Sequence, residues 1–182
     1  GQTVYTTEEI KLLKKTVKGT DMELPVALLF DCVMRRGELL GLCFDDVDFE
    51  KRTVTIQHSW VESEDSKKPV LKDCKTDGSY RKMVVSEETM KLLKRQQLLC
   101  KQICLREGKR FTGKQRVVCK QNGDPFLPKS FTAKWIDTLK KSGVLITFSK
   151  STAIRHTIGR NRRALVIFFN LLLFIIYRHL RQ

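Results

Sequence analysis

The chain has 182 residues, enough for one domain, and 41% of them are hydrophobic, which argues against a disordered polypeptide. Lys and Arg outnumber Asp and Glu by 35 to 20, which gives a formal net charge of +15 and a pI near 9.8. This excess favours an anionic partner, with nucleic acid first and an anionic membrane second. A basic surface without any partner is the alternative that charge alone leaves open.

The first segments of the chain predict helices. Thr6 and Glu9 form a capping box at the start of an amphipathic helix. The segment 23–42 is apolar nearly throughout and predicts one core helix that carries Arg35 near its end. Arg35 and Glu38 would then share one helix face, where such a pair is often only structural. A charge in an apolar segment is costly unless it is paired or meets an anionic ligand.

The middle of the chain predicts a small sheet. Residues 52–60 alternate in polarity and indicate a strand, and further strands are indicated near 70–74 and 80–85. The dipeptide at 77–78, Asp-Gly, is a turn signal, so the three strands predict an antiparallel meander with Lys75 beside the turn. One face of the first strand carries Val54, Ile56, His58 and Trp60.

The remaining elements are again helical. Ser86 caps a helix that continues to Gly108, and the segment 101–120 is dense in Lys and Arg and predicts a loop or hairpin on a basic face. An amphipathic helix is predicted over 130–142, and a last helix begins near Ser151. The inward residues of the helix over 130–142 are Phe131, Trp135, Ile136 and Leu139. The predicted fold class is therefore α+β, mainly α, with a small three-stranded antiparallel sheet.

The six cysteines, at positions 32, 43, 74, 100, 104 and 119, show no CxxC spacing. Cys100 and Cys104 lie one helical turn apart, but no histidine is close enough in sequence to suggest a zinc site. We therefore expect reduced thiols and no metal. The chain does not open on a signal peptide, so a cytoplasmic location is expected.

Four motifs follow one another in the sequence: MRRGELLGL at 34–42, DDVDF at 45–49, KTDGSYR at 75–81 and IRHT at 154–157. In this order, with strands between the first and last motifs, the chain resembles the catalytic domain of the tyrosine recombinases, the integrases of phages and transposons. The resemblance extends from about residue 3 to residue 157. It implies a catalytic domain over 1–163 and an atypical apolar carboxy-terminal segment over 164–182.

The resemblance implies a reaction and its residues. Such enzymes cleave DNA by attack of a tyrosine hydroxyl on the scissile phosphate, forming a phosphotyrosyl link and a free 5′ hydroxyl, and they need no cofactor. Arg35 and Arg155 match the pair of arginines whose planar donors hold the phosphate oxygens. Lys75 matches the lysine that protonates the leaving hydroxyl. Tyr177 is the candidate nucleophile.

The resemblance also implies supporting residues, and the sequence differs from the family pattern near its carboxy-terminal end. Glu38 would orient the first arginine, and His156 directly follows the second, where it packs more often than it reacts. Thr152 stands where the family usually has a histidine, and no Gly-His element precedes Tyr177. These departures suggest a carboxy-terminal segment altered by a frame change or a deletion. On this resemblance we also expect the chain to lack the family's separate amino-terminal DNA-binding domain, and therefore to bind DNA weakly and in a salt-sensitive way.

Three hypotheses about function remain open. The first is an active site-specific recombinase that acts on double-stranded DNA and self-associates on it. The second is a catalytically impaired DNA-binding remnant of such an enzyme. The third is a basic protein anchored to a membrane surface by the apolar run 164–177. That run has 14 residues, about 21 Å as a helix against roughly 30 Å of hydrocarbon, so a membrane partner is not favoured.

Overall fold

A computed structural model describes residues 7–63, 69–73 and 80–143 of the chain. Its helices are α1 (Thr7–Val17), α2 (Glu23–Cys32), α3 (Arg36–Gly41), α4 (Glu87–Arg106) and α5 (Pro128–Lys141). Its strands are β1 (Val47–Asp48), β2 (Thr53–Ile56), β3 (His58–Glu62), β4 (Pro69–Asp73) and β5 (Arg81–Val84), and one 3₁₀ turn, Phe44–Asp46, precedes β1. The predicted fold class, mainly helical with small antiparallel sheets, is confirmed. In this part of the chain, no helix has the length and apolar character needed to cross a membrane.

The helices bury the faces that their sequence patterns predict. The side chain of Ser86 accepts the Thr89 N–H at 3.2 Å and so caps α4 as expected. However, α4 continues to Arg106, so the basic loop begins later than the sequence suggested. In α5, Phe131, Trp135 and Leu139 are buried and Ile136 is half-buried.

The prediction of one core helix over 23–42 is wrong, because the chain breaks between α2 and α3. Val33 adopts the left-handed conformation (φ 47°, ψ 52°), and its N–H closes α2 on the Leu29 carbonyl. Arg35 is extended (φ −68°, ψ 155°) and forms the amino-terminal cap of α3. The Glu38 carboxylate accepts the Arg35 N–H at 2.9 Å. A capping contact of this kind starts a new helix, and tertiary contacts override the apolar pattern that predicted a continuous one.

The predicted three-strand meander divides into two sheets. The first strand is interrupted at Gln57, whose side-chain amide donates to the Asp46 carboxylate. Strand β2 pairs antiparallel with β1 and β5 in a three-stranded sheet, and β3 pairs antiparallel with β4 in a two-stranded one. Val54 and Ile56 are buried as predicted, whereas His58 and Trp60 belong to the second sheet and are half-buried. The break thus turns the second half of the predicted strand toward a different partner.

Helix α3 is held on two sides by β3 and α5. Gly41 lets the helix approach β3 so closely that an added Cβ would lie 3.1 Å from both the His58 carbonyl oxygen and the Trp60 nitrogen. On the other side, Arg36 Nη1 donates to Thr132 Oγ1 of α5 at 2.8 Å. These contacts fix the position of the helix that carries Glu38 and begins next to Arg35.

Candidate active site

A buried carboxylate lies at the centre of the first motif. Glu38 is only 3% exposed. Its Oε2 accepts the Arg35 backbone N–H at 2.9 Å and the Arg81 guanidinium at 2.8 Å, and its Oε1 lies 3.4 Å from Arg35 Nη1. A buried carboxylate is costly to desolvate, and these N–H donors offset that cost. Glu38 is therefore held in the interior by contacts with two arginines.

The side chain of Arg35 reaches outward from this carboxylate. It is 67% exposed, whereas the Glu38 side chain is 2% exposed. Two guanidinium groups and one carboxylate leave this group of three side chains with one net positive charge. Because a guanidinium carries five N–H donors in a rigid fork, a contact of 3.4 Å to Glu38 leaves donors that can point to a ligand. The geometry suits Arg35 to an anion on the protein surface.

The structure assigns a partner that sequence reasoning missed. Arg81, the first residue of β5, is 28% exposed in its side chain, and its Nη2 also donates to the Val33 carbonyl oxygen at 3.1 Å. It therefore joins β5 to the break between α2 and α3. The sequence signal was weak, because Arg81 is one of many basic residues. Only its place at the end of the KTDGSYR motif distinguished it.

A second polar group lies where β3 begins and β4 ends. His58 Nδ1 is 2.9 Å from Asp73 Oδ1, and the two residues are register partners at one end of the β3–β4 sheet. His58 Nε2 lies 4.0 Å from Oδ1 of Asp46. The sequence pattern had placed His58 on the same face as apolar residues, and this polar role was not predicted from it. Asp46 Oδ2 also accepts the Cys43 N–H at 2.9 Å, which caps the 3₁₀ turn.

The described residues contain only part of the predicted site. Arg35 and Glu38 are brought together as expected. Lys75 belongs to the connection between β4 and β5, which lies outside the described residues. Arg155, His156 and Tyr177 also lie outside them, as do Thr152 and the last helix predicted near residue 151. Among the described residues, no cluster of three or more His, Cys, Asp or Glu side chains could hold a metal ion.

Comparison with known proteins identifies the family. The family model described as the phage integrase family matches residues 4–161 of this chain. The chain belongs to the phage integrase family. This family member is 28% identical to a tyrosine recombinase XerC-like protein of Caldanaerobacter subterraneus subsp. tengcongensis over 163 residues, which is 84% of this chain and 41% of that protein.

Solved structures share the fold of this phage integrase family member. It matches the XerA recombinase with a TM-score of 0.53 and 19% identity, over 79% of this chain and 44% of that one. It matches the integrase of the transposon Tn1549, in complex with transposon right end DNA, with a TM-score of 0.61 and 22% identity, over 98% of this chain and 61% of that one. The chain thus spans less than two thirds of the length of each protein named here.

Proposed function

We propose that this chain carries the catalytic domain of a site-specific DNA recombinase, which cleaves and rejoins strands of double-stranded DNA through a phosphotyrosyl intermediate. The observation that carries the proposal is the arrangement at the first motif, in a chain whose family match covers residues 4–161. There the exposed Arg35 guanidinium is joined to the buried Glu38 carboxylate. The net charge of +15 agrees with an anionic partner of this kind.

In the proposed reaction, the Tyr177 hydroxyl releases its proton to solvent water, its oxygen attacks the scissile phosphorus, and the bond from phosphorus to the 5′ oxygen breaks. Arg35 and Arg155 bind the non-bridging oxygens, on which negative charge increases in the transition state. Lys75 gives a proton to the departing 5′ oxygen, so that a free hydroxyl results. Rejoining reverses these steps with another 5′ hydroxyl. Glu38 supports this chemistry by holding Arg35, and His156 is proposed to pack beside Arg155.

Trapping of the covalent intermediate tests the proposal. The chain is incubated with a nicked duplex from which the leaving fragment dissociates after cleavage, and the DNA adduct is detected on a denaturing gel. An adduct that disappears in Tyr177→Phe and falls steeply in Arg35→Ala supports the recombinase. Arg95→Ala is the matched control, because Arg95 is paired with Glu23 on another element and should leave adduct formation unchanged.

A DNA-binding remnant is the alternative outcome, which Thr152 at the usual histidine position favours. It predicts no adduct but retained, salt-sensitive binding of duplex DNA. In Arg35→Ala, the slope of log affinity against log salt should then fall by about one, because one phosphate contact is lost. Binding to anionic vesicles that depends on residues 164–177, without binding to DNA, would instead support the membrane-surface hypothesis. We also propose a domain boundary at residue 163, self-association on DNA and a cytoplasmic location.

A further inference from the structure

Arg81 connects three parts of the fold that meet at the candidate site. Its guanidinium lies 2.8 Å from Glu38 Oε2 in α3 and 3.1 Å from the Val33 carbonyl oxygen at the end of α2. Its backbone belongs to β5, where it is the register partner of Ile56 in β2. Ile56 is 1% exposed, so this strand position is fixed by the core. Arg81 therefore presents its guanidinium from a rigid support.

The carboxylate oxygen that Arg81 contacts is the one that holds the Arg35 backbone. Glu38 Oε2 accepts both the Arg81 guanidinium and the Arg35 N–H, at 2.8 and 2.9 Å. The Arg35 N–H contact fixes the extended conformation (φ −68°, ψ 155°) from which the Arg35 side chain leaves the chain. A shift of this carboxylate would move the Arg35 backbone and with it the direction of the Arg35 side chain.

The second Arg81 contact acts on the same place. Val33 has φ 47°, a conformation that a β-branched residue rarely adopts, and it is needed for the chain to leave α2 and reach Arg35. By donating to the Val33 carbonyl oxygen, Arg81 helps to hold this strained residue in place. One guanidinium thus restrains the residues on both sides of Arg35.

We propose that Arg81 is a positioning residue, which sets the direction of the Arg35 side chain toward a DNA phosphate by holding the Glu38 carboxylate and the Val33 carbonyl. The inference rests on the proposed function for the identity of the anion. It does not rest on that function for the restraint of Arg35 itself. Arg81 does not contact the phosphate itself; it acts through Glu38.

Hydrogen exchange in the free protein tests the restraint without DNA. In Arg81→Met, the Arg35 amide should exchange about tenfold faster or more, because its acceptor is no longer held. The Thr89 amide, which donates to Ser86 Oγ in α4, serves as the internal reference and should not change. Arg95→Met is the matched control, since it removes an arginine paired with Glu23 at 2.9 Å and should leave the Arg35 amide protected. An unchanged Arg35 amide in Arg81→Met, or equal acceleration at Arg35 and Thr89, would overturn the inference.

Affinity for duplex DNA tests the consequence in a double-mutant cycle. Arg81→Met should weaken binding about tenfold in the unaltered chain but less than about twofold when Arg35 is already alanine, because Arg81 acts through Arg35. Losses that multiply in the double mutant would mean that Arg81 contacts DNA by itself, which contradicts the inference. If the unaltered chain does not bind DNA, the proposed function fails, while hydrogen exchange still decides the role of Arg81.

A conservative variant keeps the test decisive if Arg81→Met does not fold. Arg81→Lys retains the positive charge beside Glu38, but its ammonium group sits on a flexible stem and lacks the planar guanidinium that fixes the directions of the two N–H groups of Nη2. We expect it to fold and to accelerate exchange of the Arg35 amide by a smaller factor than Arg81→Met. Full protection of the Arg35 amide in Arg81→Lys would show that a positive charge at this position is enough, and it would overturn the positioning role of the guanidinium.

Discussion

The guanidinium of Arg81 lies 2.8 Å from the carboxylate of Glu38, although the two residues are 43 positions apart in the sequence. Glu38 is 3% exposed, and its carboxylate also accepts a hydrogen bond from the Arg35 N–H. When one partner of a buried ion pair is removed, the other is left without compensation, which costs far more than losing a surface pair. Glu38 is therefore as important for the fold as it is for the proposed site.

Glu38→Gln should destabilise the protein by about 3 kcal/mol. The glutamine side chain is neutral, and its amide NH₂ group would face the N–H donors of Arg81 instead of accepting from them. The free energy of unfolding, measured with urea, checks this expectation. Glu87→Gln is the matched control, since Glu87 pairs with Lys91 on the surface, and it should change stability little. Equal effects of the two substitutions would contradict the role given to the buried carboxylate.

The close packing of α3 against β3 gives a second prediction. A Cβ on Gly37 would clash with the hydroxyl of Ser59, so Gly37→Ala should destabilise the fold by about 1–3 kcal/mol. Adding Ser59→Ala removes the hydroxyl and should restore part of the loss. Gly41→Ala should be costly as well, but its neighbours are backbone atoms of His58 and Trp60, so Ser59→Ala should not restore it. Thermal unfolding of the single and double variants measures the difference, and rescue of both glycine variants alike would contradict this packing.

The sequence predicts most of the helices because their signals are local. Ser86 at the start of α4 and the apolar positions Phe131, Trp135 and Leu139 in α5 depend only on neighbours one or two turns away. The break at Val33 could not be predicted in this way. It depends on contacts with Arg81, whose position is known only after β5 has paired with β2.

The candidate site shows the same limit. The spacing of Arg35 and Glu38 predicted their contact, but it suggested that both lie on one face of a continuous helix. In the structure Arg35 is instead the amino-terminal cap of α3, and Glu38 in the first turn accepts its backbone N–H. The contact between His58 and Asp73 depends on the interruption at Gln57, which redirects the strand to a new partner. Alternation of polar and apolar residues does not encode such a redirection, since it continues through the break.

Glu23 gives a prediction for the dependence of stability on pH. Burial raises the pKa of this carboxyl group, but hydrogen bonds from the Gly19 N–H and from Arg95 outweigh burial and leave the pKa below its usual value of 4.5. A carboxylate with a lowered pKa in the folded state adds stability above pH 4.5, and this stability is lost as the pH falls through the folded pKa. Because Arg95 is exposed, the contribution at neutral pH should be about 1 kcal/mol or less.

Glu23→Gln should therefore lower the melting temperature at pH 7 and have a progressively smaller effect as the pH is lowered toward 3. Melting curves of the two proteins over this range check the sign. Arg95→Gln should show the same trend, and the double variant should lose less than the sum, since both changes remove one interaction. A difference in melting temperature that stays constant with pH would contradict the assignment to Glu23.

The thiols of Cys100 and Cys119 form a pair that should be oxidised selectively. Their sulfur atoms are 3.9 Å apart, and Cys119, although buried, is one of the residues that line a cleft of about 410 Å³. A hydrogen bond from the Cys100 thiol lowers the pKa of Cys119, with a further contribution from Gln96, against the opposite effect of burial. Cys32 differs, because burial raises its pKa to about 12 and keeps it as an unreactive thiol.

Hydrogen peroxide should therefore convert Cys119 to a sulfenic acid with release of water, and the Cys100 thiol should then displace a second water to form the disulfide. Peptide mapping should find this bond, with the loss of two hydrogen atoms, in the unaltered chain and in Cys32→Ser but in neither Cys100→Ser nor Cys119→Ser. Because a disulfide length of about 2.0 Å requires the sulfur atoms to approach each other, a small shift between α4 and the strand-like segment at Cys119 must occur. A disulfide that instead joins Cys32 to either residue, or peroxide treatment that leaves both thiols reduced, would contradict this pairing.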